Sequence, residues 1–281
     1  MQKVQVENND IFYIRNGSGT PIVFLHGYPQ SHYCWRDQIK TFSEQYDVIA
    51  PDWIGWGESE RKLGIDLSYW AEVKRFENFI FQMKIERGFH LVAHDYGAFL
   101  SLGLFQKNKL NILSLTLSNS RCHKTFLPSY KRLVDFQVFL SGLTWLRKLV
   151  SYLPWYSLHR NVLKKYISHG SFDDFELERY IGWTKRSQAD RLWMIEYYAA
   201  YRTSPPHDID NCLNNISCPI QVIWGEGDEF LSREIALDIN KRKPEASLEF
   251  IENGGHYVME TKPDEFNQTL KSLIAKVELK N

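Results

Sequence analysis

The chain has 281 residues, of which 43% are hydrophobic and 15% aromatic, and it carries 34 basic and 34 acidic side chains. This length allows one large core or a core with an inserted subdomain. The longest basic clusters, such as Lys241-Arg242-Lys243, are short. Together with the zero net charge, nothing here suggests a phosphate-binding surface, which needs clustered lysine and arginine, and nucleic acid is not expected as a partner.

The cysteine spacing and the lack of long apolar segments indicate the expected cellular compartment. The cysteines, Cys34, Cys122, Cys212 and Cys218, match no zinc or redox spacing, and we expect them to be reduced and mostly buried. No apolar stretch reaches the length of a membrane span, and the first residues lack the apolar region of a signal peptide. We therefore expect a cytoplasmic protein with no membrane partner. A monomer or a homodimer is expected.

Eight short apolar runs are predicted to be strands. The first two, residues 4–7 and 11–15, are separated by Asn8-Asn9-Asp10, which is typical of a hairpin. Continuous rather than alternating apolar character in the other six predicts strands that are covered on both faces. These six are residues 21–26, 46–50, 89–94, 112–118, 219–224 and 247–251.

Stretches of helical length separate most of these strands. Apolar residues recur at three-to-four spacing in residues 31–42, 68–83, 97–107, 233–241 and 264–276. Strands that alternate with helices predict an α/β fold with a mostly parallel, eight-stranded sheet flanked by helices. Ligands of such sheets bind beyond the carboxyl ends of the strands, so chemistry is expected just after each strand.

The alternation stops between about Arg121 and Ile216. This segment is rich in aromatic residues, is punctuated by prolines and contains no strand-like run. We predict a helical insertion at residues 122–215, which divides a core of residues 1–121 and 216–281. The insertion could serve stability alone. A lid over the strand ends is favoured, because the apolar underside of a lid would face a cavity.

Asp95 lies where a predicted strand turns into a helix. Ala93, Gly97 and Ala98 surround it, and such small neighbours are needed where a residue sits on a sharp strand-to-helix turn. This is the pattern of a nucleophile elbow, in which serine is usual. The alternative is a helix cap, a role that Asp fills well.

Two later strand ends favour the nucleophile. Asp228 follows the penultimate predicted strand, and His256 follows the last one. Nucleophile, acid and histidine in this order predict a catalytic triad. His256 would be the general base, and Asp228 would fix its tautomer. Glu226 and Glu229 are rival acids, less favoured because such sites use an Asp at the Gly-x-x-Asp position after the strand.

The turn His26-Gly27-Tyr28-Pro29 is predicted to supply part of an oxyanion hole. A loop at this position can aim a backbone N–H at the site, opposite the N–H of the residue after the nucleophile. The predicted donors are the amides of Tyr28 and Tyr96. His26 is expected to form structural hydrogen bonds. Residues 52–59 lack the third glycine of a dinucleotide motif and are predicted to be a structural turn.

Five blocks together resemble the α/β-hydrolase superfamily over nearly the whole chain. They are HGYP at 26–29, DWIGWGES at 52–59, AHDYGA at 93–98, WGEGD at 224–228 and GGHY at 254–257. More narrowly, the chain looks like the aspartate-nucleophile branch of epoxide hydrolases, haloalkane dehalogenases and haloacetate dehalogenases. The resemblance implies an α/β-hydrolase fold with a helical lid. Nucleophile, base and water suffice for the reaction, so neither an organic cofactor nor a metal is expected.

A carboxylate nucleophile changes the expected substrate. Attack on a carbonyl would give a mixed anhydride that mostly reverts, whereas displacement at a saturated carbon gives a stable ester on Asp95. Water activated by His256 would then hydrolyse this ester. The substrate is therefore expected to carry a leaving group on a saturated carbon.

The leaving group separates the members of the branch. The resembled epoxide hydrolases protonate the departing oxygen with lid tyrosines, and Tyr201 is similar in position to one of them. The closest match to the other falls on Phe136-Gln137, with Tyr130 as a substitute. We therefore expect Tyr201, Tyr130 and Gln137 to contact the substrate or leaving group.

The dehalogenase patterns are incomplete in this chain. Dehalogenases hold the halide with Trp after the nucleophile and a second Trp or Asn, and here Tyr96 and Tyr28 occupy two of those positions. Tyr96 and Phe99 stand where haloacetate dehalogenases place arginines. The predicted function is therefore hydrolysis of a small, largely apolar epoxide, with haloalkane dehalogenation as the alternative. A non-catalytic ligand-binding protein is a third possibility, although it would have no need of all three polar residues at three strand ends.

Overall fold

The computed structural model describes residues 2–85, 88–107, 109–122, 128–166, 174–201 and 213–279. The strands are β1 (Gln2–Val6), β2 (Asn9–Asn16), β3 (Pro21–Leu25), β4 (Asp47–Pro51), β5 (Phe89–His94), β6 (Ile112–Ser118), β7 (Ile220–Gly225) and β8 (Ser247–Ile251). They form one sheet in the order β1-β2-β4-β3-β5-β6-β7-β8. β2 pairs antiparallel with β1 and β4, and the other pairs are parallel. The predicted α/β fold with a mostly parallel, eight-stranded sheet is confirmed.

The described residues also form α-helices on both sides of this sheet and beyond its carboxyl edge. They are α1 (Arg36–Phe42), α2 (Tyr69–Gln82), α3 (Asp95–Lys107), α4 (Pro128–Gly142), α5 (Arg147–Val150), α6 (Trp155–Tyr166), α7 (Asp174–Ile181), α8 (Gln188–Ala200), α9 (Arg233–Arg242), α10 (Val258–Thr261) and α11 (Pro263–Glu278). Short 3₁₀ helices cover His32–Trp35, Thr144–Leu146 and Gly182–Lys185. Among the described residues, no helix is long and apolar enough to cross a membrane.

Burial follows the predicted pattern in the middle of the sheet but not at its edge. Every residue of β4, β5 and β7 is buried. In β8, by contrast, Ser247 and Glu249 are exposed. β8 is the last strand of the sheet, and an edge strand needs fewer apolar neighbours. The expectation that all six later strands are covered on both faces is therefore wrong for β8.

The helix predicted from residue 31 begins differently. His32–Trp35 forms a 3₁₀ helix, and α1 starts only at Arg36. The hydroxyl of Ser31 accepts a hydrogen bond from the backbone N–H of Tyr33 and caps this tighter turn. Apolar spacing alone does not distinguish the two helix types over one turn.

Between β6 and β7 the described residues form α4 to α8, and we call these the inserted helices. Residues 123–127, 167–173 and 202–212 of the predicted insertion lie outside the described part of the chain. Trp193 of α8 is fully buried and packs edge-on against Trp56, with ring centroids 5.6 Å apart. Gly55, at φ +77°, lets α8 approach, since a Cβ there would lie 1.9 Å from the Trp193 ring. The inserted helices are thus packed directly on the turn that follows β4.

Candidate active site

Asp95 occupies a strained backbone position at the junction of β5 and α3. Its φ is +46°, in the left-handed region that most residues avoid. A Cβ on Gly97 would lie 2.5 Å from the carbonyl oxygen of His26, and one on Gly27 would lie 2.5 Å from the Asp95 Cβ. The Ser120 hydroxyl donates a 2.6 Å hydrogen bond to the Asp95 carbonyl. Two glycines and one hydroxyl therefore allow and hold the sharp turn.

The two oxygens of the Asp95 carboxylate have different neighbours. Oδ1 accepts a 2.9 Å hydrogen bond from the backbone N–H of Tyr28. Oδ2 lies 3.7 Å from Nε2 of His256. The side chains of Asp95 and His256 are both nearly buried. The two residues thus meet in a site that is shielded from bulk water.

His256 is oriented by Asp228. Its Nδ1 lies 2.8 Å from Oδ2 of Asp228, so Nδ1 carries the proton and Nε2 faces Asp95. Burial disfavours the imidazolium, but the charge of Asp228 and its hydrogen bond outweigh that effect and raise the pKa of His256 above its ordinary value. The rival acid Glu226 instead pairs with Arg233 at the surface.

Besides His256, three hydrogen-bond donors hold the carboxylate of Asp228. Oδ1 accepts from the backbone N–H groups of Phe230 and Leu231, at 2.8 and 2.9 Å. Oδ2 accepts from Nδ2 of Asn119 at 2.7 Å. Asn119 in turn accepts from the N–H of Gly225 at 2.9 Å, which ties the end of β6 to the end of β7. Sequence reasoning missed Asn119, although its place directly after a buried strand is the same signal that identified Asp95.

The predicted structural role of His26 agrees with its contacts. Nδ1 lies 2.8 Å from the carbonyl of Gly27, and Nε2 accepts from the backbone N–H of Trp53 at 3.1 Å. Burial lowers the pKa of His26 to about 4, so the ring is neutral near pH 7. Asp52 accepts from the backbone N–H groups of His32 and Glu58. These bonds join the turn at residues 52–59 to the loop after β3.

A cavity of about 330 Å³ lies over Asp95 and His256. Its walls are mostly apolar side chains of α4 and α6 together with residues of the core. Gln137 and Tyr201, both predicted to contact substrate, line it. The side chain of Tyr130 lies outside the described residues. A small, largely apolar molecule would fit this space.

Tyr198 is a polar residue on the cavity wall that the sequence reasoning did not predict. The hydroxyl of Tyr198 bonds that of Tyr28 and lies 2.6 Å from Nε2 of His159. Nδ1 of His159 lies 2.8 Å from the carbonyl of Trp155, so Nδ1 carries the proton and Nε2 accepts from Tyr198. The Tyr198 proton is therefore held in the hydrogen bond to His159.

Tyr201 also lines the cavity, but its charged neighbour is Arg121 rather than a histidine. The guanidinium of Arg121 lies over the Tyr201 ring, 4.8 Å from the ring centre. Burial raises the pKa of Tyr201 to about 12, although Arg121 opposes the shift. Arg121 is buried and also stacks on Phe99, at 4.1 Å from the ring centre. A buried arginine beside Tyr201 could not be predicted from local sequence patterns, because Arg121 and Tyr201 are 80 residues apart in the chain.

Within the described part of the chain, no group of three histidine, cysteine or acidic side chains could hold a metal ion. Cys34 and Cys122 are buried and Cys218 is partly buried. Cys212 lies outside the described residues.

Comparison with known proteins agrees with this architecture. The model of a family described as alpha/beta hydrolase fold matches residues 20–263. The chain is 27% identical over 267 residues to the soluble epoxide hydrolase of Corynebacterium sp. (strain C12), covering 89% of this chain and 88% of that protein. It is also 36% identical over 99 residues to a haloalkane dehalogenase of Agrobacterium fabrum (strain C58 / ATCC 33970), covering 35% of this chain and 32% of that protein.

A solved structure shows the same fold. The Bacillus megaterium epoxide hydrolase, crystallised with an inhibitor, superposes with a TM-score of 0.76 at 20% sequence identity. The match covers 98% of this chain and all of that one. At this level of identity the likeness concerns the fold alone.

Proposed function

Because the chain belongs to the α/β-hydrolase fold family and is an enzyme of the hydrolase class, we propose that it opens a small, largely apolar epoxide through a covalent ester on Asp95. The observation that carries this proposal is the carboxylate at the elbow. Asp95 stands at φ +46°, with Oδ2 3.7 Å from His256 and Oδ1 bonded to the Tyr28 amide. An aspartate that only capped α3 would not need His256 beside its carboxylate.

The first step is displacement at a saturated carbon. Oδ2 of Asp95 attacks one epoxide carbon, the carbon–oxygen bond breaks, and an ester forms. The released alkoxide takes the proton of the Tyr201 hydroxyl, and the tyrosinate regains a proton from water. The positive charge of Arg121, 4.8 Å from the centre of the Tyr201 ring, stabilises the transient tyrosinate.

The second step is hydrolysis of the ester. Nε2 of His256 takes a proton from water, and the hydroxide attacks the carbonyl carbon of Asp95. The developing negative charge falls on Oδ1, which the Tyr28 amide already contacts, and the amide of Tyr96 is the proposed second donor. Collapse breaks the ester bond, and the departing alkoxide takes the proton from His256. The product is a diol, and Asp95 is left as the carboxylic acid. Its proton goes to the hydroxide that formed when the tyrosinate regained a proton from water, which restores the carboxylate.

Haloalkane dehalogenation is the second candidate, supported by the partial match to a dehalogenase. A halide leaves without a proton but needs N–H donors. The tryptophan on the cavity wall, Trp155, donates its ring N–H to the carbonyl of Val150 at 2.9 Å. That donor is already engaged by Val150, which favours the epoxide.

Trapping the ester tests the proposal. The His256→Gln variant, incubated with a panel of epoxides and haloalkanes, should gain on Asp95 the mass of one epoxide, or the mass of one haloalkane less its hydrogen halide. The control is the double variant Asp95→Ala, His256→Gln, which should gain none. Wild-type protein assayed with the same panel for diol and halide release decides between the two leaving groups. Turnover by the wild type with no adduct in the variant would contradict the covalent mechanism.

A further inference from the structure

The inserted helices expose an unusual number of large apolar side chains. Among the described residues, 13 large hydrophobic side chains are exposed, and eight of them lie between residues 133 and 158. We call these eight the apolar rim: Leu133, Phe136, Phe139, Trp145, Leu149, Tyr152, Leu153 and Leu158. Trp145 is 77% exposed. Contiguous apolar surface of this kind marks an interaction site.

Half of the apolar rim also lines the cavity over Asp95. Leu133, Phe136, Leu153 and Leu158 are exposed and also line that cavity. Phe139 follows Phe136 by three residues on α4 and shares its face of the helix. The exposed surface is therefore continuous with the path to Asp95.

Positive charge accompanies the apolar rim. Residues 128–166 contain seven lysines and arginines but one acid, Asp135, in a chain that has 34 of each sign overall. Asp135 pairs with Lys131, and Asp174 of α7 pairs with Arg160 and Lys164. Lys148 is exposed beside Leu149. Residues 128–166, which include the whole apolar rim, therefore carry an excess of positive charge.

We propose that the inserted helices dock on an anionic lipid surface. The apolar rim would enter the region between head groups and acyl chains, and the lysines and arginines would contact the lipid phosphates. A second copy of this chain is the less favoured occupant, since a two-fold contact would set one cationic face against another.

Docking of this kind would place the cavity opening against the bilayer. An apolar substrate concentrates in lipid and could reach Asp95 without crossing water. The inference concerns the surface and does not depend on the reaction, because vesicle binding is measured without turnover. The sequence predicted no membrane partner, since no single apolar run is long enough to span. The apolar rim was not predicted from the sequence, because its members are spread over several short helices.

Flotation of the full chain with vesicles tests the proposal. Binding is expected to vesicles of equal parts phosphatidylcholine and phosphatidylglycerol, and it should weaken with salt. Trp145→Asp should reduce binding by about tenfold, and Lys148→Glu by about fivefold. Leu237→Asp and Lys241→Glu, matched changes on α9, should leave it unaltered. Trp145 does not line the cavity, so turnover of a water-soluble substrate should survive its replacement.

Three results would overturn the proposal. The first is the absence of binding to anionic vesicles, and the second is an equal loss of binding in the α9 controls. The third is a dimer in solution that Trp145→Asp dissociates while vesicles bind neither form, which would assign the apolar rim to a second copy. A catalytically inactive protein that still binds vesicles would instead count against the proposed reaction and leave the docking surface intact.

Discussion

The backbone N–H of Tyr28 donates a 2.9 Å hydrogen bond to Oδ1 of Asp95 and makes the two carboxylate oxygens inequivalent. Oδ2 is the oxygen that faces His256. In the proposed mechanism Oδ2 forms the ester bond, and Oδ1 becomes the oxyanion when water attacks. The donor that serves the second step is therefore already in place in the resting enzyme.

The dependence of the ester-hydrolysis rate on pH should follow the protonation of His256. As a general base it must be neutral, and the pKa of His256 is raised mainly by Asp228 acting against burial. The rate of ester hydrolysis should fall as the pH drops through this raised value. Asp228→Asn removes the charge, so its residual activity should be about 10⁴-fold lower, with the acid limb moved to lower pH. Single-turnover rates against pH measure both effects, and an unmoved limb would show that Asp228 does not set the pKa.

Asn119 should act through Asp228. Asn119→Ala removes a donor to the carboxylate and an acceptor for the Gly225 amide, and we expect kcat to fall about tenfold. Asn119→Asp should be worse, because it sets a second carboxylate against Asp228. Parallel kcat and KM measurements check this. A change confined to KM would assign Asn119 to substrate binding instead.

Tyr201 and Tyr198 should differ as proton donors. Tyr201→Phe is expected to lower kcat for epoxides by about 10²-fold, the usual effect of losing a general acid. Tyr198→Phe should cost less than about fivefold, since the Tyr198 proton is bonded to His159. Steady-state assays of the two variants compare them directly. The reverse ranking would make Tyr198 the donor.

The packing of α8 on the turn after β4 should depend on Gly55. Gly55→Ala combines a left-handed φ with a Cβ 1.9 Å from Trp193, and it should reduce the free energy of unfolding by about 3 kcal/mol. Gly64→Ala is the matched control. Its φ is +78° but nothing lies within 4 Å, so backbone strain alone should cost about 1 kcal/mol. Denaturant titrations would detect the difference, and equal losses would rule out the steric effect.

Much of the fold and the core of the site could be predicted from the sequence, because both obey local rules. Continuous apolar runs mark central strands, and polar residues after them converge at one edge of a parallel sheet. That rule leads to Asp95, Asp228 and His256, and it would also have reached Asn119 after β6. The edge position of β8 carries no such local signal, because pairing order is a tertiary property.

The cavity wall could not be predicted in the same way. The pairing of Arg121 with Tyr201 and that of His159 with Tyr198 join residues far apart in sequence. Both depend on how the inserted helices lie over the core, which apolar spacing does not determine. A lone histidine or arginine among aromatic residues gives no sign of its partner.

Single turnover in H₂¹⁸O with excess enzyme tests the central claim most directly. The account predicts that the diol leaves with unlabelled oxygen from Asp95 and that the label appears in the Asp95 carboxylate, where mass spectrometry of the active-site peptide would find it. Label in the diol, with none in Asp95, would mean that water attacks the substrate directly and that Asp95 is not the nucleophile.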